Sequence, residues 1–116
     1  MSLKVLWNKK YQSCINACND CFESCEFCPT SDLREQDVKS ITRCIQLNRD
    51  CATICTTASQ FMARDSEHSE KICTICAVIC DQCAEECERY TDMEHCKLCA
   101  QSCRKCAEEC RKMAKE

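Results

Sequence analysis

The chain contains no glycine and only one proline, Pro29, in 116 residues. These two residues dominate tight turns and irregular loops, so a loop-rich fold is not expected. Aromatic residues are also scarce, at 5%, although hydrophobic residues as a class make up 45% of the chain. This apolar content is enough for one core, and we expect a single domain over residues 1–116.

Long hydrophobic runs and an excess of positive charge are missing too. No segment approaches the roughly 20 apolar residues of a transmembrane helix, and the start, MSLKVLWNKK, lacks the features of a secretory signal. The formal net charge is −3, with charged residues of mixed sign. Neither nucleic acid nor a membrane is therefore expected as a partner, and we expect a cytoplasmic protein.

Cysteine, in contrast, occurs 18 times. In a reducing cytosol such a number indicates metal ligands rather than a disulfide framework. The cysteines form four groups: Cys14, Cys18, Cys21, Cys25 and Cys28; Cys44, Cys51 and Cys55; Cys73, Cys76, Cys80, Cys83 and Cys87; and Cys96, Cys99, Cys103, Cys106 and Cys110. Spacings that alternate between three and four, or of seven and four in the second group, place each group on the inward face of one helix.

The four groups predict four helices, and the connections between them are short. Short connections make sequential helices antiparallel neighbours. The sequence therefore predicts an all-α fold, an antiparallel up-down-up-down four-helix bundle with a cysteine-lined core. The expected helices span approximately residues 6–28, 33–63, 66–89 and 92–114.

Local signals give the expected helix boundaries. Pro29 is expected to end the first helix, because proline disrupts a helix interior. Asp32 with Glu35 is expected to begin the second helix, and Thr91 with Glu94 can form a capping box for the fourth. The charged residues on the outer faces, such as Glu86 and Glu109, are expected to be solvated.

The two ends of the predicted bundle differ in their side chains. We call the end where the first and third helices finish the open end, and the other the closed end. The open end carries Cys28, Asp92, Met93 and His95. The closed end is expected to be filled by Trp7, Tyr11, Met62 and Met113, which continue the alternating spacing.

Two polar residues near the open end are candidate accessory metal ligands. Between Cys44 and Cys51 the spacing requires an inward residue at position 48, which is Asn48. A buried amide needs partners, so Asn48 is either a ligand or part of a hydrogen bond between helices. His95 is either a ligand or a surface residue, since histidine serves both roles.

Several roles for the cysteines can be compared. Single cysteines are common as small hydrophobic core residues, but this role does not explain eighteen cysteines that all fall at inward positions. Cysteines three or four apart on a helix have Cβ atoms about 5–6 Å apart, whereas a disulfide needs about 3.8 Å, so only bridges between helices remain open. Iron–sulfur clusters use compact cysteine loops that this chain lacks. Thiolate ligands suit Cu(I) and Zn(II).

Charge balance favours Cu(I) over zinc. Four tetrahedral zinc sites would leave a core charge of about −8, and uncompensated buried charge is costly. A monovalent ion bound by two or three shared thiolates approaches neutrality at about one ion per cysteine. Adjacent cysteines on one helix can converge on one such ion.

Four segments in this order resemble the bacterial copper storage protein family: CINACNDCFESCEFC, CIQLNRDCATIC, CTICAVICDQCAEEC and CKLCAQSCRKCAEEC. The resemblance implies a bundle filled with many Cu(I) ions, a homotetramer and, because no leader is visible, a cytosolic member. It also implies non-cysteine ligands near the open end, at the positions of Asn48 and His95. Exported members of the family have several methionines at the open end, whereas this chain has only Met93 there.

The sequence thus predicts a non-catalytic protein that stores Cu(I) through all 18 cysteines, with Asn48 and His95 as accessory candidates. A copper chaperone or a small-molecule thiol would exchange copper with it. No nucleophile–base pair or phosphate loop indicates an enzyme. The alternatives are a thiol–disulfide redox protein, which would need depressed thiol pKa values, and a zinc or iron–sulfur module.

Overall fold

The computed structural model of the protein describes residues 9–114, which form four α-helices and a short 3-10 helix, with no β-strand in that range. The α-helices are α1 (Gln12–Asp32), α2 (Thr42–Ala63), α3 (Ser69–Cys87) and α4 (Glu94–Ala114), and the 3-10 helix is Val38–Ile41. Helices α1 and α3 each pack against both α2 and α4. The predicted all-α four-helix bundle is confirmed.

The predicted end of the first helix was wrong, because α1 continues through Pro29 to Asp32. Helical hydrogen bonding resumes beyond the proline, where the amide of Leu33 donates to the carbonyl of Pro29 at 3.0 Å. Proline in a helix interior costs about 3 kcal/mol. The additional turn buries Asp32 and brings its carboxylate within 2.8 Å of His95. These contacts offset the cost of the proline.

The predicted start of the second helix was wrong, because α2 begins at Thr42 rather than near residue 33, and several other boundaries differ by two to six residues. Residues 9–11 form a turn, so α1 begins at Gln12 rather than near residue 6. The second helix is preceded by the 3-10 helix, whose Ile41 is fully buried. Helix α4 begins at Glu94, and the carbonyl of Met93 accepts from the amides of Cys96 and Lys97. The predicted capping box of Thr91 with Glu94 was wrong, because Glu94 is the first residue of the helix and Thr91 lies three residues before it.

The end of α2 shows how a chain without glycine reverses direction. Asp65 adopts φ 52°, in the left-handed region. Glycine usually occupies this position after a helix, and aspartate is one of the few other residues that tolerate it. The reversal lets the amide of Ser66 donate to the carbonyl of Phe61 at 3.0 Å. The chain is thereby turned towards α3 within a few residues.

The interior is built mainly from cysteine and alanine, and each of the 18 cysteines is at most 1% exposed. At the closed end Tyr11 and Met62 are buried as expected, and Met113 packs against the core; Trp7 lies outside the described residues.

Two outer-face predictions were wrong, because Glu86 and Glu109 are buried. Small core side chains bring the helices close together, and residues beside the cysteine face are covered by the neighbouring helix. None of the described helices is long and apolar enough to cross a membrane.

Candidate metal centre

The cysteines form a continuous column of sulfur along the bundle axis. Sulfur atoms from different helices approach closely: Cys51 Sγ lies 3.5 Å from Cys80 Sγ, and Cys14 Sγ lies 3.6 Å from Cys110 Sγ. A disulfide bond would be about 2.05 Å long, so these are contacts between free thiols. The column presents many sulfur donors in an interior closed to water.

The thiols are organised as overlapping groups of four. In each group all four sulfur atoms lie within 4.8 Å of one another. Four such groups are Cys18, Cys76, Cys106 and Cys110; Cys21, Cys55, Cys80 and Cys106; Cys21, Cys25, Cys51 and Cys103; and Cys25, Cys83, Cys99 and Cys103. Successive groups share members: Cys106 links the first two, Cys21 links the next two, and both Cys25 and Cys103 belong to the last two. The groups are therefore connected rather than separate.

Asn48 lies fully buried inside this column, as predicted. Its Oδ1 atom is 3.0 Å from Cys83 Sγ and 3.1 Å from Cys99 Sγ. Its Nδ2 atom is 3.4 Å from Cys44 Sγ. The buried amide thus finds polar partners on α2, α3 and α4, and it places an oxygen and a nitrogen atom among the sulfur atoms of the column.

At the open end a carboxylate joins the thiols. Cys28, Asp32, Cys44 and Cys96 place one donor atom each within 4.8 Å of the others. Asp32 Oδ1 lies 3.6 Å from Cys96 Sγ, and Asp32 Oδ2 lies 3.8 Å from Cys28 Sγ. His95 contacts this group through Asp32, because its Nε2 atom is 2.8 Å from Asp32 Oδ1.

Sequence reasoning missed Asp32 as a member of this group and treated it as the start of the second helix. The signal was present, because the spacing of four, three, four and three from Cys14 to Cys28 continues with a spacing of four to Asp32. Pro29 predicts a helix end just before this next inward position, whereas the helix continues to Asp32. Met93, which sequence analysis placed at this end, has its Sδ atom 3.9 Å from Cys96 Sγ.

The buried environment shifts the proton equilibria of the site. Burial raises the pKa of Asp32, and the hydrogen bond with His95 opposes this effect without cancelling it. Hydrogen bonds with Cys21 and other thiols raise the pKa of Cys103 well above its usual value, and burial adds to the effect. The same contact lowers the pKa of Cys21. Neighbouring thiols therefore differ in proton affinity, and a metal ion must displace protons from this network.

The fold and the site together define a class of protein: a cysteine-lined four-helix bundle whose core presents soft sulfur donors for several metal ions. The sequence model for the copper storage protein family matches residues 7–115. The chain belongs to the copper storage protein family.

Individual proteins with similar sequences and structures support the assignment of the chain to this family. The Cu(I)-bound copper storage protein BsCsp3 from Bacillus superposes with a TM-score of 0.86 at 43% identity, covering 90% of this chain and 97% of that chain. A cytosolic copper storage protein from Streptomyces lividans, solved during copper loading with five coppers, superposes with a TM-score of 0.89 at 30% identity, covering 96% of this chain and 97% of that chain. The uncharacterized cysteine-rich protein YhjQ of Bacillus subtilis (strain 168) is 44% identical over 86 residues, covering 74% of this chain and 79% of that protein.

Proposed function

We propose that this protein stores Cu(I), binding about one ion per cysteine through the thiolates of all 18 cysteines. The observation that carries the proposal is the overlap of the four-thiol groups in one continuous column. A metal that needs two or three thiolates and can share them fits such a column along its whole length. Thiolate charge is then balanced by nearly equal numbers of monovalent ions, so that the buried column becomes close to neutral.

Zinc is the nearest rival, because each four-thiol group taken alone could surround a tetrahedral ion. The groups share Cys21, Cys25, Cys103 and Cys106, however. Neighbouring groups therefore cannot all hold separate four-coordinate zinc ions. Bridged zinc ions would still leave more negative charge in the core than Cu(I) does.

A thiol–disulfide redox role is disfavoured by burial. Redox-active cysteines are usually partly exposed, since they must meet another thiol or disulfide. Here all 18 cysteines are at most 1% exposed. We accordingly propose a non-catalytic role, in agreement with the storage function of the family.

The polar residues near the open end complete the proposed site. We assign Asp32 as an oxygen donor beside Cys28, Cys44 and Cys96, since its carboxylate lies within 4.8 Å of their sulfur atoms. His95 holds that carboxylate through the 2.8 Å contact. Asn48 contributes its amide oxygen beside Cys83 and Cys99. The 18 cysteines are thus the proposed principal ligands, Asp32 and Asn48 the accessory ligands, and His95 the residue that positions Asp32.

We further propose that the protein acts in the cytoplasm as a homotetramer and exchanges copper with a chaperone or a small-molecule thiol. The cytosolic copper storage protein of Streptomyces lividans supports the compartment, and family resemblance supports the tetramer. Anaerobic analytical ultracentrifugation tests the assembly. A sedimenting species of four chains is expected, and a monomer over the whole concentration range would contradict it.

Competition between metals tests the proposed function directly. Reduced protein is given equal excesses of Cu(I) and Zn(II) under anaerobic conditions, separated from unbound metal and analysed for both elements. We expect copper to dominate the bound metal. A majority of zinc in the recovered protein would overturn the proposal.

A further inference from the structure

A surface cavity of about 380 Å³ lies between the end of α3 and the first turns of α4. Its lining includes Cys87, Tyr90, Thr91, Lys97, Gln101 and Arg104. Cys87 is the last residue of α3, and its sulfur lies 3.5 Å from Cys44 Sγ inside the column. The cavity therefore borders the thiol column from the side of the bundle.

Cys87 is one of the two cysteines that retain any exposed surface. It is 1% exposed, like Cys99, whereas the other 16 cysteines are completely buried. Its sulfur also lies 3.8 Å from Asn48 Oδ1. Among the residues that line the cavity, Cys87 thus connects it to Cys44 and Asn48 inside the column.

The charged residues of the cavity lining are Lys97, Arg104 and Glu88. Arg104 is held by Glu88 at 2.8 Å and by Asp81 at 3.1 Å. Among the described residues, this pairing leaves the exposed ammonium of Lys97 as the available cation beside Cys87. Such a charge favours an anionic ligand and accelerates its approach.

We propose that this cavity binds an anionic low-molecular-weight thiol that carries Cu(I), and that copper passes between this thiol and Cys87. The inference rests on the proposed storage function and adds a site of exchange to it. A volume of about 380 Å³ suits a small peptide-like thiol, because ligand cavities usually measure about 300–1,000 Å³. Lys97 contacts the ligand's carboxylate, and Cys87 receives the metal.

The transfer is a ligand exchange without redox change. The sulfur of Cys87 forms a bond to Cu(I) while the bond between Cu(I) and the carrier sulfur breaks. The proton of the Cys87 thiol passes to the departing carrier sulfur, so the free carrier leaves as a thiol. Copper remains Cu(I) throughout, and Cys44, at 3.5 Å, becomes its next sulfur neighbour.

Transfer kinetics test the proposal with the full chain. Anaerobic stopped-flow measurements compare copper uptake from Cu(I)–glutathione, an anionic donor, and Cu(I)–2-mercaptoethanol, a donor without a carboxylate. We expect Lys97→Glu to slow uptake from the glutathione complex by roughly 10-fold and to leave uptake from the other complex unchanged. The substitution is compatible with folding, because a glutamate near a helix N-terminus is favourable.

Lys71→Glu is the matched control, since Lys71 is an exposed lysine in the first turn of α3, at the closed end. Equal slowing by Lys71→Glu, equal slowing for both donors, or an unchanged rate in Lys97→Glu would overturn the cavity proposal. Total copper capacity is measured on the same samples. A wild-type chain that takes up only a few ions would reject the storage function itself, whereas full loading with unaltered Lys97→Glu kinetics would reject the cavity alone.

Discussion

The Nε2 atom of His95 lies 2.8 Å from Oδ1 of Asp32, a residue 63 positions earlier in the chain. This contact joins the last residue of α1 to the first turn of α4 at the open end of the bundle. Asp32 is fully buried, whereas the His95 side chain is 14% exposed. A negatively charged or hydrogen-bonding oxygen is thereby held among thiols, close to the surface.

Substitution of Asp32 tests whether this oxygen assists copper entry. Asp32→Asn keeps the shape and the contact with His95 but removes the carboxylate charge that attracts a cation. We expect the first phase of copper uptake to slow by roughly 3- to 10-fold, with total capacity reduced by about one ion. Anaerobic stopped-flow absorbance measures the rate. Asp50→Asn, on the exposed face of α2, is the control, and equal rates in the two variants would contradict the role of Asp32.

Asn48 provides a second test, because its amide is a polar group buried among the thiols of the column. Asn48→Ala removes the partner of Cys83 and Cys99 and leaves a void, so we expect the metal-free protein to lose about 1–3 kcal/mol of unfolding free energy. Anaerobic urea unfolding measures this loss. Gln82→Ala, at an exposed position of α3, should be nearly neutral. A metal-free Asn48→Ala protein as stable as the wild type would show that the amide has no structural role.

Copper loading should stabilise the fold strongly. The four-thiol groups combine cysteines from different helices, so an ion bound in them would connect helices that are separate in the unfolded chain, and binding free energy becomes folding free energy. We expect the melting temperature to rise by at least about 20 °C between the metal-free and the fully loaded protein. Anaerobic circular dichroism provides the measurement. Melting curves that coincide would contradict a metal core that spans all four helices.

The buried carboxylate of Glu109 gives a pH dependence that is separate from the thiols. It accepts a 3.0 Å hydrogen bond from Ser13 on α1 and contacts Lys112 at 3.3 Å. Burial raises the pKa of Glu109, but these hydrogen bonds and the lysine charges outweigh burial and hold it below its usual value. A depressed pKa in the folded state means that the stabilisation is present above the unfolded pKa and is lost as pH falls.

We therefore expect Glu109→Gln to destabilise the metal-free protein by about 1–2 kcal/mol at neutral pH. The difference from the wild type should shrink as the pH falls from about 5 to about 3. Thermal unfolding of the metal-free protein at several pH values measures it. Glu108→Gln, a change at the exposed neighbouring position, should follow the wild-type curve, and a pH-independent difference for Glu109→Gln would contradict the assignment.

Helix identity and the inward faces could be predicted from the sequence, because the cysteine spacing alone specifies them. The continuation of α1 through Pro29 could not be predicted from the sequence. The tertiary contacts of Asp32 with His95 and Cys96 outweigh the tendency of proline to end a helix. The burial of Glu86 and Glu109 could not be predicted either, because a hydrophobic pattern assigns charged residues to the solvent-exposed face. These two carboxylates have partners on other helices, Ser13 for Glu109 and Arg43 for Glu86, that become neighbours only after folding.

Within the site, the sequence identified the thiols and Asn48 but not the connections between them. Periodicity assigns a face to a residue, whereas the sharing of Cys21 and Cys106 between groups depends on the relative heights of four helices. The sharing is nevertheless the feature that distinguishes a store of monovalent ions from a set of isolated metal sites.

An anaerobic Cu(I) titration against a high-affinity colorimetric chelator, with a parallel thiol count on the same sample, measures how much copper the thiol column holds. We predict that the protein withholds copper from the chelator until close to one Cu(I) per cysteine is bound, about 18 ions for the 18 cysteines. A break in the titration after only a few ions, with all thiols reduced, would contradict it.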